Sequence, residues 1–160
     1  MRTRDAAFHN EIANHPDVIR YLEWNPDNGL MTFDHLANDD RFYLMHLPLD
    51  GPELPGLALV FEWSAPGVFQ VHTMSHPDRR HNVLWEAKFL IHEILMMTGA
   101  SRVWGQTAMH NIAARKFNLK IARVLGYGEH HISGPCEYFG GQRTEWLARH
   151  WNNAEDCPRM

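Results

Sequence analysis

The stretch TMSHPDRRHNVLWEAKFLIHEIL, from Thr73 to Leu95, constrains the fold more than any other part of the chain. A β-type run ends at Ser75, a proline follows at position 77, and an arginine pair stands at 79 and 80. After it, apolar residues recur at Val83, Ala87, Leu90, Ile91, Ile94 and Leu95. Residues three and four apart share one face of a helix, so the run predicts a long amphipathic helix packed on a sheet. Gly99 predicts its end, because glycine takes the left-handed conformation that closes a helix. A strand that passes through a short loop into a helix brings the helix's unbonded first amides to that loop, a place suited to anions.

The rest of the chain supplies a sheet for that helix. Arg41–Pro48, Leu57–Ala65 and Val68–Ser75 read as three strands, separated by the Gly- and Pro-rich LDGPELPG and by Pro66-Gly67. They predict an antiparallel meander. Arg102–Met109 reads as a fourth strand, and NIAARKFNLKIARVLG as a second amphipathic helix. Its apolar side is Ala114, Phe117, Ile121 and Val124/Leu125, its basic side Arg115, Lys116, Lys120 and Arg123, and Gly126 stops it. YGEHHIS is a further strand and TEWLARHW a last strand or helical tail, with GPCEYFGGQ as the segment separating them. At the front, Asp5–Asn14 reads as a helix ended by Pro16, and a short helix is expected around Val18–Leu22. Strands first, then strands alternating with helices, predict an α+β fold. The expected architecture is a mixed sheet, an antiparallel meander followed by β-α-β-α-β, with helices on both faces. At 160 residues, one domain spanning 1–160 is expected.

Composition narrows the function classes. Lys+Arg 15 against Asp+Glu 19 gives a net charge of −4, so no nucleic-acid partner is expected. The first residues lack the apolar core of a signal peptide, and no run approaches the ~20 apolar residues of a membrane span, so no membrane association is expected. Cys136 and Cys157 form no CxxC pair and read as reduced thiols of a cytoplasmic protein. The 12 histidines show no zinc spacing, so no metal site is expected.

Two segments carry a family resemblance. In SHPDRRHNVLWEA, His76, Pro77, Asp78 and Arg80 stand as in the strand–HP(E/D)xR–G-x-G-x-(G/A)–helix pattern of the GNAT superfamily of acyl-CoA-dependent N-acetyltransferases. In NIAARKFNLKIARVLGY, Asn111, Ala114, Gly126 and Tyr127 resemble that family's N-x-x-A…L-G-F/Y helix. The element order agrees from about Arg41 to Glu129, and NHPDVIRYL is similar to the lead-in of phage-type members. The resemblance implies an acetyl-CoA (coenzyme A) cofactor and an amine acceptor, either a small molecule or a protein. By analogy the cofactor would contact Met74, Ser75, Arg79, Arg80, His81, Asn82, Val83, Leu84 and Trp85, with Asn111 closing the other side. The basic side of the second helix would face the 3′-phosphate of coenzyme A or solvent.

Amine acetylation needs a group to take the ammonium proton. Glu62, inside an apolar strand, and His72, on the next strand, are the catalytic candidates. The chain departs from the family pattern twice. His81, Val83 and Trp85 stand where glycine or alanine is usual, and no tyrosine lies between Asn111 and Leu125 to protonate the leaving thiolate. These departures fit a degenerate phage-type member. The rival expectation is therefore a catalytically inactive GNAT-fold protein, a phage virion-assembly component or a host-interaction module in the host cytoplasm. Six Trp and eight Phe leave apolar surface for a homodimer.

Overall fold

The computed structural model describes residues 2–22, 24–51, 53–125 and 129–144, and the side chains among them except those of 122–125. Gly126, Tyr127, Cys157, the side chains of Arg123, Val124 and Leu125, and nearly all of TEWLARHW lie outside that description. Seven strands form one mixed sheet in the order β1-β2-β3-β4-β5-β7-β6. The fold is α+β, as expected. By its contacts the chain divides into two units, Met1–Trp63 with Val71–Glu93, and Ser64–Gln70 with Ile94–Met160.

In the first unit, β1 (Arg2–Thr3) pairs antiparallel with β2 (Phe42–Met45), and β2 pairs antiparallel with β3 (Leu57–Ala65). The register sets Phe42 opposite Glu62 and Met45 opposite Leu59. Leu57 to Phe61 are all buried, so this central strand is covered on both faces. One cover consists of α1 (Ala7–Ala13), α2 (Pro16–Ile19) and α3 (Asp34–Ala37). Phe8, Ile12, Ala13, Val18, Phe33 and Ala37 cluster there with Leu44, Ala58, Val60 and Met74. Burying a Phe or Ile side chain contributes about 1.5–3 kcal/mol, which such short helices need because they are marginal alone. Pro16 opens α2 rather than merely ending α1, since a proline at the first helical position gives up no bonded amide. The side-chain oxygen of Asn10 accepts from Phe33 N and that of Asn14 from Met31 N, both at 2.8 Å, and these bonds tie the following loop to α1.

β4 (Val68–Ser75) leads into α4 (Val83–Thr98). The six apolar positions expected on the inward face of this helix, Val83, Ala87, Leu90, Ile91, Ile94 and Leu95, are all buried.

In the second unit, Val68–Gln70 of β4 pairs parallel with Arg102–Trp104 of β5 (Arg102–Ala108). α5 (Ile112–Leu125) follows, then β6 (Glu129–Ser133) and β7 (Cys136–Gln142). β7 corrects the sequence reading, which made GPCEYFGGQ a separator. Only Gly134-Pro135 is the turn, with Gly134 at φ +57°, and the remainder is a strand inserted between β5 and β6. Gly140, read as a loop glycine, has a packing role. A Cβ there would stand 3.1 Å from Glu129 Oε2 and 3.3 Å from Trp104 Cβ on the flanking strands.

Candidate functional site

The loop between β4 and α4 is held in place from several sides. His76 N donates to Gly56 O at 2.8 Å. A Cβ on Gly56 would lie 1.6 Å from the Arg79 carbonyl oxygen, so only glycine lets β3 start this close to the loop. Glu86, in the first turn of α4, is 3% exposed, and its carboxylate accepts from Gly56 N at 3.0 and 3.1 Å and from Leu57 N at 2.9 Å. Burial pushes the Glu86 carboxyl above its usual value, and the two backbone amides oppose that. The fixed glycine of this region is thus Gly56, across the chain from the loop. Its signal in the sequence was a carboxylate at 86 inside the apolar stripe of α4, a position that only a bonded group tolerates.

His76 is buried, and its Nδ1 accepts from Asp78 N at 3.2 Å. Burial, then the neighbouring Arg79 charge, hold this imidazole below its ordinary pKa. Arg79 Nη2 donates to Glu11 Oε1 of α1 at 3.2 Å. Arg80 is exposed and has no ion pair among the described residues. Asn82 Nδ2 donates to Glu53 Oε2 at 3.1 Å, and His81 Nε2 lies 3.2 Å from the same oxygen.

Glu86 N donates to Asn82 O at 3.0 Å, which makes Asn82 the boundary of the helix. The amides of Val83, Leu84 and Trp85 precede any helical acceptor. Among the described residues they meet no other. Val83 turns into the core and Leu84 is half-buried. Trp85 is 48% exposed and stacks on Phe89 one turn further along, with ring centroids 5.7 Å apart. Residues 83–85 therefore lack glycine, and only Val83 of the three is buried. Met74 is buried, so it offers a ligand only its backbone, and Ser75 is half-buried beside it.

Glu62 and His72 come together: Oε2 and Nε2 are 3.2 Å apart, with side chains 41% and 47% exposed. Neither is a buried group, although Glu62 lies in a strand whose preceding residues are apolar and buried. The strand turns from fully buried at Phe61 to open at Trp63.

In the second unit, Asn111 Oδ1 accepts from Ala114 N at 3.1 Å, which makes it the cap of α5. Asn118, on the same helix, donates to Thr107 Oγ1 at 2.5 Å. Arg115 does not belong to a solvated basic face. Its Nε donates to Glu137 Oε2 at 2.6 Å, and His130 Nε2 lies 2.7 Å from Glu137 Oε1. Burial pushes the Glu137 carboxyl up, but Arg115 and His130 outweigh it and hold it below its usual value. Among the described residues no group of three or more His, Cys, Asp or Glu is placed to hold a metal, and no helix is long and apolar enough to cross a membrane.

No family model matches the chain, and no curated protein matches it. Solved structures do. A spermidine N-acetyltransferase from Vibrio cholerae, in complex with CoA and spermine, matches with TM-score 0.64 at 11% identity, over 88% of this chain and 90% of that one. A GNAT-family acetyltransferase from Bacillus anthracis gives TM-score 0.58 at 13% identity, over 85% and 87%. The N-acetyltransferase PseH from Campylobacter jejuni, in complex with acetyl coenzyme A, gives 0.55 at 11%, over 68% and 73%. The chain has the fold of the GNAT N-acetyltransferases.

Proposed function

We propose that this GNAT-fold chain is an acetyl-CoA-dependent N-acetyltransferase acting on an amine. The observation that carries the reading is the start of α4. Among the described residues three of its first amides have no acceptor and the exposed Arg80 has no ion pair, while Trp85 stacks on Phe89. Residues of this kind fit a diphosphate, since aligned amides and the helix dipole favour negative charge there. Bound acetyl-CoA would supply a thioester-activated acetyl group. Arg80 and the amides of residues 81–85 would hold its phosphates, and the backbone of Met74 and Ser75 would take its amide-bearing arm. Arg79 and Asn82 would contribute only by exchanging Glu11 and Glu53 for the ligand.

His72 would accept the proton of the incoming ammonium at its imidazole, and Glu62 would fix the ring and balance the imidazolium charge. Asn111 keeps a structural role as the cap of α5. The acceptor class is an amine, and the spermine-bound relative is one example of such a ligand in a protein of this fold.

A second reading rests on Asn118. It lies in the helix where the family's acidic tyrosine is expected, and its amide is committed to Thr107. An amide cannot protonate a thiolate. On that reading the chain is a non-catalytic GNAT-fold protein, of the virion-assembly or host-interaction type.

Calorimetry and thermal melts with acetyl-CoA test the first reading. Stabilisation should grow with ligand, reaching about 2.7 kcal/mol at a hundred times Kd. No shift at millimolar acetyl-CoA refutes it. Binding without thiol release across a panel of amines supports the second reading. Release that collapses in His72→Gln with little change in acetyl-CoA affinity supports the first.

A further inference from the structure

We infer that Glu53 is a built-in competitor for the anion position at the start of α4 and sets the affinity of phosphate-bearing ligands there. The inference rests on the acetyl-CoA reading of that position and adds the residue that regulates it.

Four side chains of the loop can donate to a phosphate: Arg79, Arg80, His81 and Asn82. Carboxylates of this chain already engage three of them. Glu11 holds Arg79, and one oxygen of Glu53 receives Asn82 Nδ2 at 3.1 Å and faces His81 Nε2 at 3.2 Å. Glu53 thus places its charge on the two residues that immediately precede the first turn of α4. A second anion entering there meets a like charge and finds those two donors occupied.

The arrangement is displaceable. The side chains of Glu53 and His81 are 66% and 58% exposed, and exposed ion pairs are weak. Glu53 sits three positions before Gly56, where the chain is pinned to Arg79 and Glu86. The carboxylate can therefore leave without disturbing β3 or the β4–α4 loop. Glu11 differs, because its partners His76 and Arg79 are mostly buried and it joins α1 to the loop. Glu53 has the weaker hold and the more direct position.

Glu53→Gln separates charge from shape. The amide keeps an oxygen for Asn82 and removes the negative charge. Coenzyme A and, separately, inorganic pyrophosphate are titrated by calorimetry into the native protein and the variant at low salt. The variant should bind about fivefold more tightly, the Coulomb effect of one charge about 4 Å from another in water. The gap should narrow at about 0.5 M salt. Loss of a merely structural contact would weaken binding or leave it unchanged, so tightening is diagnostic. Equal or weaker binding by the variant overturns the competitor role and leaves the acetyl-CoA reading standing. Pyrophosphate binding that tightens in the variant without any coenzyme A binding upholds Glu53 and sinks acetyl-CoA. No binding of either ligand by either protein overturns both.

Discussion

His9 gives the sharpest test of how this chain is held together. It lies on α1, is 0% exposed, and its Nε2 is 3.1 Å from the Leu59 carbonyl oxygen of β3. Its Nδ1 is buried with no partner among the described residues. Phe8, Phe33 and His46 surround the ring, with centroids 5.6 to 6.4 Å away. Burial first, and His46 to a lesser degree, lower its pKa from 6.5 to about 4, against the pull of the Leu59 carbonyl. The unfolded chain therefore takes up a proton at about pH 6.5 that the folded chain refuses until about pH 4. Stability rises with pH across that window and falls as the solution is acidified. At about 1.4 kcal/mol per pH unit the full interval is worth about 3 kcal/mol, of which about 2 kcal/mol has gone by pH 5. His46 and His76, also lowered chiefly by burial, act in the same direction, so a variant must isolate His9. His9→Gln keeps a donor for Leu59 O and does not titrate. Urea unfolding at intervals from pH 7.5 to 5 should show the native protein losing about 2 kcal/mol more than the variant, or about 4–8 °C in Tm. Parallel pH profiles for the two proteins would show that His9 is not buried neutral and would refute the reasoning.

Two further substitutions probe the joints of the structure. Gly56→Ala puts a methyl group 1.6 Å from the Arg79 carbonyl oxygen, and the backbone must yield. A loss of about 2–3 kcal/mol in urea unfolding, with acetyl-CoA stabilisation abolished, is expected; an unaffected loop would leave binding intact. Glu137→Gln removes the buried charge between the part-exposed Arg115 and His130 and should cost about 1.5–3 kcal/mol at pH 7. The Glu137 carboxyl is held below its usual value, so this contribution is present above about pH 4.5 and fades as pH falls through the lower folded value. The gap between native and variant proteins should therefore close in acid.

Sequence alone determined the parts of this protein that depend on neighbours along the chain. The apolar repeat of α4 is a local periodicity, and all six of its inward positions are buried. The β-α-β order and the mixed sheet follow from the same reading, and the GNAT resemblance rests on the order of elements and on HPDRR. It missed what depends on partners far away in sequence. Gly140 reads as a loop glycine until Trp104 and Glu129 are seen on either side of it. Arg115 reads as part of a solvated face until Glu137, 22 positions later, receives it. The site divides in the same way. Asn82, His81 and Arg79 were visible as donors, but not that Glu53 and Glu11 already engage them. Glu62 and His72 were chosen as separate candidates, and only the register of strands made them a pair. Periodicity reports which face of an element is apolar, because that is a property of spacing. It says nothing of which charge meets which, because a hydrogen bond reaches about 3 Å and is decided by the final approach of two backbones. The orientation of Trp85 was such a case. Its spacing does not place it, and the structure puts it outside the core, 48% exposed and stacked on Phe89.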